Sequence, residues 1–147
     1  EIIFTDEIKP ASTEVIDVDA DNDGGVVVWT ENDIMKVSTQ IKGIKVQAAV
    51  NSSSMFNNKS NIKKIDLKML DTSNVTNIGG MFEGCSGLTS LDLTPLNTTN
   101  VREMGKIFKG CSDLTSLDLT PLDTSNVKSM NGMFRLRHLR NRGRQYR

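Results

Sequence analysis

Aromatic residues are scarce: Phe, Trp and Tyr make up 5% of the 147 residues. With so little aromatic bulk, burial falls to Leu, Ile, Val and Met, which suits thin repeated layers better than one deep core. The single histidine, His138, lies near the C-terminal end, where nothing in the pattern would fix a Ser-His-Asp or Cys-His arrangement. Two cysteines, Cys85 and Cys111, do not make a disulfide framework. No run of 18 apolar residues occurs, so neither a transmembrane helix nor membrane insertion is expected. No charged segment leads into an apolar stretch at the start, so a signal peptide is not expected, and a chain opening at Glu1 reads as a mature or excised segment. There is no Gly-rich phosphate loop, no clustered Cys/His metal spacing and no Gly-x-Ser-x-Gly elbow. These gaps point away from an enzyme and away from a bound cofactor.

The formal net charge of zero conceals a division. Residues 135–147 hold six Arg and no acid, so the first 134 residues carry 12 Lys and Arg against 18 acids, a net charge of −6. An acidic body thus precedes a basic tail.

Residues 55–134 repeat a 26-residue unit without insertion or deletion. Asp66, Asp92 and Asp118 keep that interval, as do Leu67, Leu93 and Leu119, Asn74, Asn100 and Asn126, and Cys85 with Cys111. The pairs Met55-Phe56, Met81-Phe82, Ile107-Phe108 and Met133-Phe134 keep it too. In the unit that starts at Leu88, Leu88, Leu91 and Leu93 form an L-x-x-L-x-L strand signature, with Leu91 and Leu93 inward and Asp92 outward. Pro95 would end that strand. Val101, Met104, Ile107 and Phe108 then fall at i, i+3, i+6 and i+7, which predicts a short helix with an N-cap at Thr98 or Thr99 and an end at Gly110. Neither element buries its apolar side alone, so the units must stack. The predicted fold is an α/β solenoid, one strand and one short helix per unit.

The runs Leu70–Val75 and Leu122–Val127, both LDTSNV, the variant LNTTNV at 96–101, and the MFEGCS and IFKGCS segments resemble the BspA-like leucine-rich repeat of bacterial surface proteins, also known from mycoplasma lipoproteins. The stretch from Trp29 to Met55 is also similar, more weakly, to what precedes the repeats in that family. The resemblance implies extracellular display at a cell surface or in secreted form, adhesion or host-surface contact, and no catalytic activity.

The expected organisation is an N-terminal β cap over residues 1–50, repeats over 51–134 and a basic tail over 135–147. Val15 to Asp19, Val26 to Trp29 and the alternation from Ile34 to Val50 read as β-hairpins, with a turn at Asp21-Asn22-Asp23-Gly24-Gly25. Asp19, Asp21 and Asp23 match the opening of a calcium loop, but its twelfth position is Thr30 rather than an acid, which favours an acidic turn without metal. The tail departs from the repeat after Phe134. It reads as a disordered end without a role, with a nucleic-acid or polyanion-binding arm as the alternative.

The contact surface predicted from the exposed strand face is Lys64, Asp66, Ser90, Asp92, Ser116 and Asp118. Stacked carboxylates about 4.8 Å apart repel unless something relieves them. Hydrogen bonds from backbone or hydroxyl groups would make the row structural, and a cation-bearing partner would make it functional. Asn74, Asn100 and Asn126 read as structural turn residues that bond along the stack. Cys85 and Cys111 read as free, buried thiols. The expected partner is a protein or glycan on another cell surface, with no nucleic acid, and self-association is expected through an open C-terminal end. A purely structural stalk is the alternative.

Overall fold

The structure, a computed structural model, describes residues 1–10, 16–17, 26–32 and 34–134, with the backbone alone for 16–17. Among the described residues seven strands are formed: β1 (Ile2–Phe4), β2 (Ile16–Asp17), β3 (Val27–Glu31), β4 (Ile34–Ser38), β5 (Val46–Gln47), β6 (Ile65–Asp66) and β7 (Leu70–Asp71). The Val27-Val28-Trp29 run favours an extended chain because β-branched and aromatic side chains fit a pleated surface. Asn32, at φ 51°, turns the chain so that β3 and β4 pair antiparallel. β2 pairs antiparallel with β3, and β1 lies parallel to both β4 and β6, which gives the order β2-β3-β4-β1-β6. The N-terminal strand therefore lies against the first repeat, where Ile2 N–H donates to the Lys64 carbonyl at 3.1 Å. The alternation expected up to Val50 stops at Ser38. Ile41 and Ile44 are exposed, whereas Val46 and Ala48 are buried.

From β5 onward, successive units run side by side and parallel. β5 pairs with β7, and single parallel bridges link Asn51 to Asn77, Asn77 to Glu103 and Glu103 to Ser129. The backbone between 76 and 85 divides its hydrogen bonds in a regular way. The N–H groups of Ile78, Gly80, Phe82 and Gly84 donate to the carbonyls of Glu103, Gly105, Ile107 and Lys109 in the next unit. Those of Met81, Glu83 and Cys85 donate three residues back, to Ile78, Gly80 and Phe82. The carbonyls of Asn77, Gly79, Met81 and Glu83 accept from Ser52, Ser54, Phe56 and Asn58 in the preceding unit. These polar groups find partners within the backbone, as buried backbone must.

No helix occurs among the described residues. The segment expected to be helical, Val101 to Gly110, holds a parallel bridge at Glu103 followed by tight turns over 105–110. A helix would direct its N–H groups to carbonyls four residues back and leave none to join the next unit. The left-handed positions enforce the alternative. Ser54, Gly80, Lys106 and Gly132 have φ between 60° and 66°, and Asn58, Gly84 and Gly110 lie at 58°, 75° and 80°. Both sets repeat at the 26-residue interval. A turn of the second type needs positive φ at its third residue, and two such turns four residues apart carry the chain round the unit. Strand forms only in the first unit's equivalent segment, as β6; the two L-x-x-L-x-L segments that follow form none.

The inward side of each unit makes one continuous core. Val101, Met104, Ile107, Phe108 and their equivalents Val75, Ile78, Met81 and Phe82 are fully buried, and the core extends to Ile2, Phe4 and Val37 of the sheet. Leu67 and Leu93 are fully buried, and Leu119 packs against the same core. A column of phenylalanines runs through it, from Phe56 to an exposed end at Phe134. Phe56 and Phe82 stack at 5.4 Å, Phe82 and Phe108 at 5.8 Å, and Phe108 and Phe134 at 5.6 Å, while Phe4 meets Phe56 edge-on at 6.1 Å.

Candidate functional site

The six residues predicted from the strand face do not all share one site. Lys64, Asp66, Ser90 and Asp92 line a shallow groove of about 240 Å³ floored by Ile65, Leu67 and Pro95. Ser116 and Asp118 stand exposed one unit further along, outside that groove.

The aspartate row is relieved by its own unit. Thr94 donates to Asp92 Oδ1 twice, from its hydroxyl at 2.7 Å and its N–H at 2.9 Å. Thr120 serves Asp118 Oδ1 in the same way, at 2.8 and 2.9 Å. Lys68 N–H donates to Asp66 Oδ1 at 3.0 Å, and the Lys68 ammonium lies 3.9 Å from Oδ2. These donors hold the Asp92 and Asp118 carboxyls below the ordinary carboxylate range, chiefly through the Thr94 hydroxyl in one and the Thr120 N–H in the other. Both are therefore ionised at neutral pH. Asp-x-Thr thus acts as a small folded turn in which one oxygen is spent and the other, Oδ2, has no hydrogen-bond partner among the described residues. Lys64 pairs with Glu1 at 2.9 Å, which pushes the lysine upward and keeps a cation at the mouth of the groove.

A second row follows the same rule. Ser73, Thr99 and Ser125 N–H groups donate to Asp71, Asn97 and Asp123 Oδ1. Asn100 and Asn126 side-chain amides donate back to the Ser73 and Thr99 carbonyls of the preceding unit, at 2.8 and 2.7 Å, so the repeated Asn bonds along the stack to backbone.

Cys85 and Cys111 are buried and unpaired, and their thiols donate to the Phe56 and Phe82 carbonyls. Burial pushes the Cys85 thiol up and the Cys111 thiol to about 12. Neither is a thiolate nucleophile. No group of His, Cys, Asp and Glu among the described residues could hold a metal ion. Asp19, Asp21, Asp23, His138 and the basic tail lie outside the described residues.

One feature escaped the sequence reading. A polar trough of about 370 Å³ runs across the turn segments of adjacent units, lined among others by Asn77, Gly79, Glu83, Glu103, Lys106 and Ser129. Its signal was present as the 26-residue column Asn77, Glu103, Ser129 and the pair Gly79 and Gly105. Glu83 within it is paired to Lys109 of the next unit at 2.6 Å.

Fold and surface together define a repeat protein of parallel, turn-built units with a shallow polar face. The chain belongs to the family described as Mycoplasma protein of unknown function, DUF285, whose profile matches residues 28–143. That description gives the family a bacterial setting. No curated protein and no solved structure matches the chain.

Proposed function

We propose that this chain is a non-enzymatic binding module of a bacterial surface or secreted protein, a solenoid of the BspA-like leucine-rich type that makes adhesive contact with a partner protein. The observation that carries this reading is the aspartate row. Each of Asp92 and Asp118 is fixed by its threonine on one oxygen and presents the other to solvent, ionised, at a constant interval along the stack. Fixed acceptors at regular spacing suit a partner surface bearing lysines or arginines, because the side chains lose little freedom on binding. Lys64, Asp66 and Ser90 in the groove beside them add one cation and two acceptors.

The test is binding of the labelled chain to epithelial cell monolayers, wild type against Asp92→Asn with Asp118→Asn. Loss of the two charges weakens binding at least about tenfold and reduces its salt sensitivity. Equal binding by the double variant rejects the aspartate row. No binding by either favours the other reading, a stalk whose partner contacts lie elsewhere in a longer protein.

A further inference from the structure

One corner of the N-terminal region carries three exposed isoleucines, each followed by a lysine: Ile8-Lys9, Ile41-Lys42 and Ile44-Lys45. Ile8 is 69% exposed, Ile41 60% and Ile44 51%. A single exposed aliphatic side chain needs no explanation, but a cluster of them marks a contact surface.

The two segments are tied together. Gly43 N–H donates to Asp6 Oδ2 at 3.0 Å, Lys9 N–H to Gln40 Oε1 at 2.9 Å, and Ser38 Oγ to the Glu7 carbonyl at 2.9 Å. Ile44 N–H closes a turn on the Ile41 carbonyl. Gly43 sits in that turn at φ +80°, and a Cβ built there would meet nothing within 4 Å, so the turn opens to space on that side. The acids nearby are held in place, but only Glu7 among them is ion-paired. Asp6 holds the Gly43 amide, Glu7 is bound by Lys36 at 2.5 Å, and Asp71, within electrostatic reach of Lys45, is held by Ser73.

We propose that this corner docks the chain onto an anionic phospholipid surface. Isoleucines exposed together at one corner suit a bilayer interface, which admits aliphatic groups between headgroups without shape complementarity; lysines beside them meet the phosphates. The first 134 residues, at a net charge of −6, are repelled as a body by the same surface, which leaves this corner and the arginines of 135–147 as the parts it can attract. Docking of this kind needs no membrane span, and no helix among the described residues is long and apolar enough to form one. The inference is independent of the aspartate row.

The test is co-sedimentation of the full chain with vesicles of phosphatidylcholine alone and with phosphatidylglycerol added. Wild type binds the anionic vesicles at least about tenfold better than the neutral ones. Ile41→Ser with Ile44→Ser, and separately Lys42→Glu with Lys45→Glu, each weaken that binding at least about tenfold. Both pairs are exposed, and an unchanged thermal unfolding curve confirms the fold. Absence of binding by wild type overturns the proposal. So does unchanged binding by the isoleucine variant, the outcome if the arginines of 135–147 drove adsorption by charge alone. A dimer in sedimentation equilibrium that the isoleucine variant converts to monomer also overturns it, since a second copy would then cover the corner.

Discussion

Phe82→Ala cuts the phenylalanine column at its centre. Phe82 is fully buried and has a stacked ring on either side, at 5.4 and 5.8 Å. Truncating a buried Phe costs about 3–5 kcal/mol. Two ring pairs, each contributing about 0.5–1.5 kcal/mol beyond burial, place this one near the upper end. Phe134 occupies the equivalent position three units from Phe56 but is 42% exposed, with one ring neighbour among the described residues, so Phe134→Ala costs only about 1–2 kcal/mol. The gap of about 3 kcal/mol is large against a total stability of about 5–15 kcal/mol. Urea unfolding reads it, followed by far-UV circular dichroism for the whole chain and by fluorescence of Trp29, the only tryptophan, for the N-terminal sheet. Because the core is continuous from Ile2 to Met133, both signals should shift together. Phe82→Leu keeps most of the volume and loses the stacking; it should cost about 1–2 kcal/mol and serves if the alanine variant fails to fold. An equal or larger loss for Phe134→Ala would refute the stacked column. A Trp29 midpoint unmoved while the dichroism midpoint falls would refute the single core.

Lys106 holds a left-handed conformation that Gly80 and Gly132 adopt freely, so Lys106→Gly should stabilise by about 0.5–1 kcal/mol in the same urea titration. Gly84→Ala should destabilise by about 2 kcal/mol or more, because its Cβ would collide with the Asn58 side chain and lie 3.3 Å from the Asn58 Cα at a positive φ. Asp92, Asp118 and Asp123 have folded-state values below their unfolded ones, so their contribution is present above about pH 4 and is lost as pH falls through the folded values. Thr94→Val with Thr120→Val should therefore flatten the fall of the urea midpoint below about pH 4, and an unaltered slope would contradict the threonine assignment. Iodoacetamide at neutral pH should label Cys85 and Cys111 only after unfolding; rapid labelling of the native chain would contradict their burial.

The sequence displayed the register fully and the local backbone poorly. Residues 26 apart, such as Phe82 and Phe108, do lie against each other, and Val101, Met104, Ile107 and Phe108 all face inward. That inward face is common to a helix and to a chain of tight turns, so the apolar spacing alone could not choose between them. Gly80 and Gly84, four residues apart inside the apolar run, were the deciding signal, because two left-handed positions in one turn of helix are incompatible with it. Reading Gly110 as a helix end passed over its partner position at Lys106, whose side chain hides the requirement. Asp-x-Thr was legible as a self-satisfied turn, since an Asp oxygen readily bonds the amide two residues on. That the groove gathers Lys64, Asp66, Ser90 and Asp92 but leaves Ser116 and Asp118 aside depends on surface relief, which no periodicity encodes. The Ile-Lys corner joins residues more than thirty positions apart through single hydrogen bonds, and nothing in its spacing announces it.

The most direct measurement is a solution NMR survey of backbone contacts across residues 76–110. Amide protons of Ile78, Gly80, Phe82 and Gly84 should show cross-peaks to the residues 25 or 26 positions on, together with strong protection from hydrogen exchange. A continuous ladder of i to i+3 and i+4 contacts from Val101 to Gly110, with no cross-peaks between units, would show a helix in place of the turns and contradict the account.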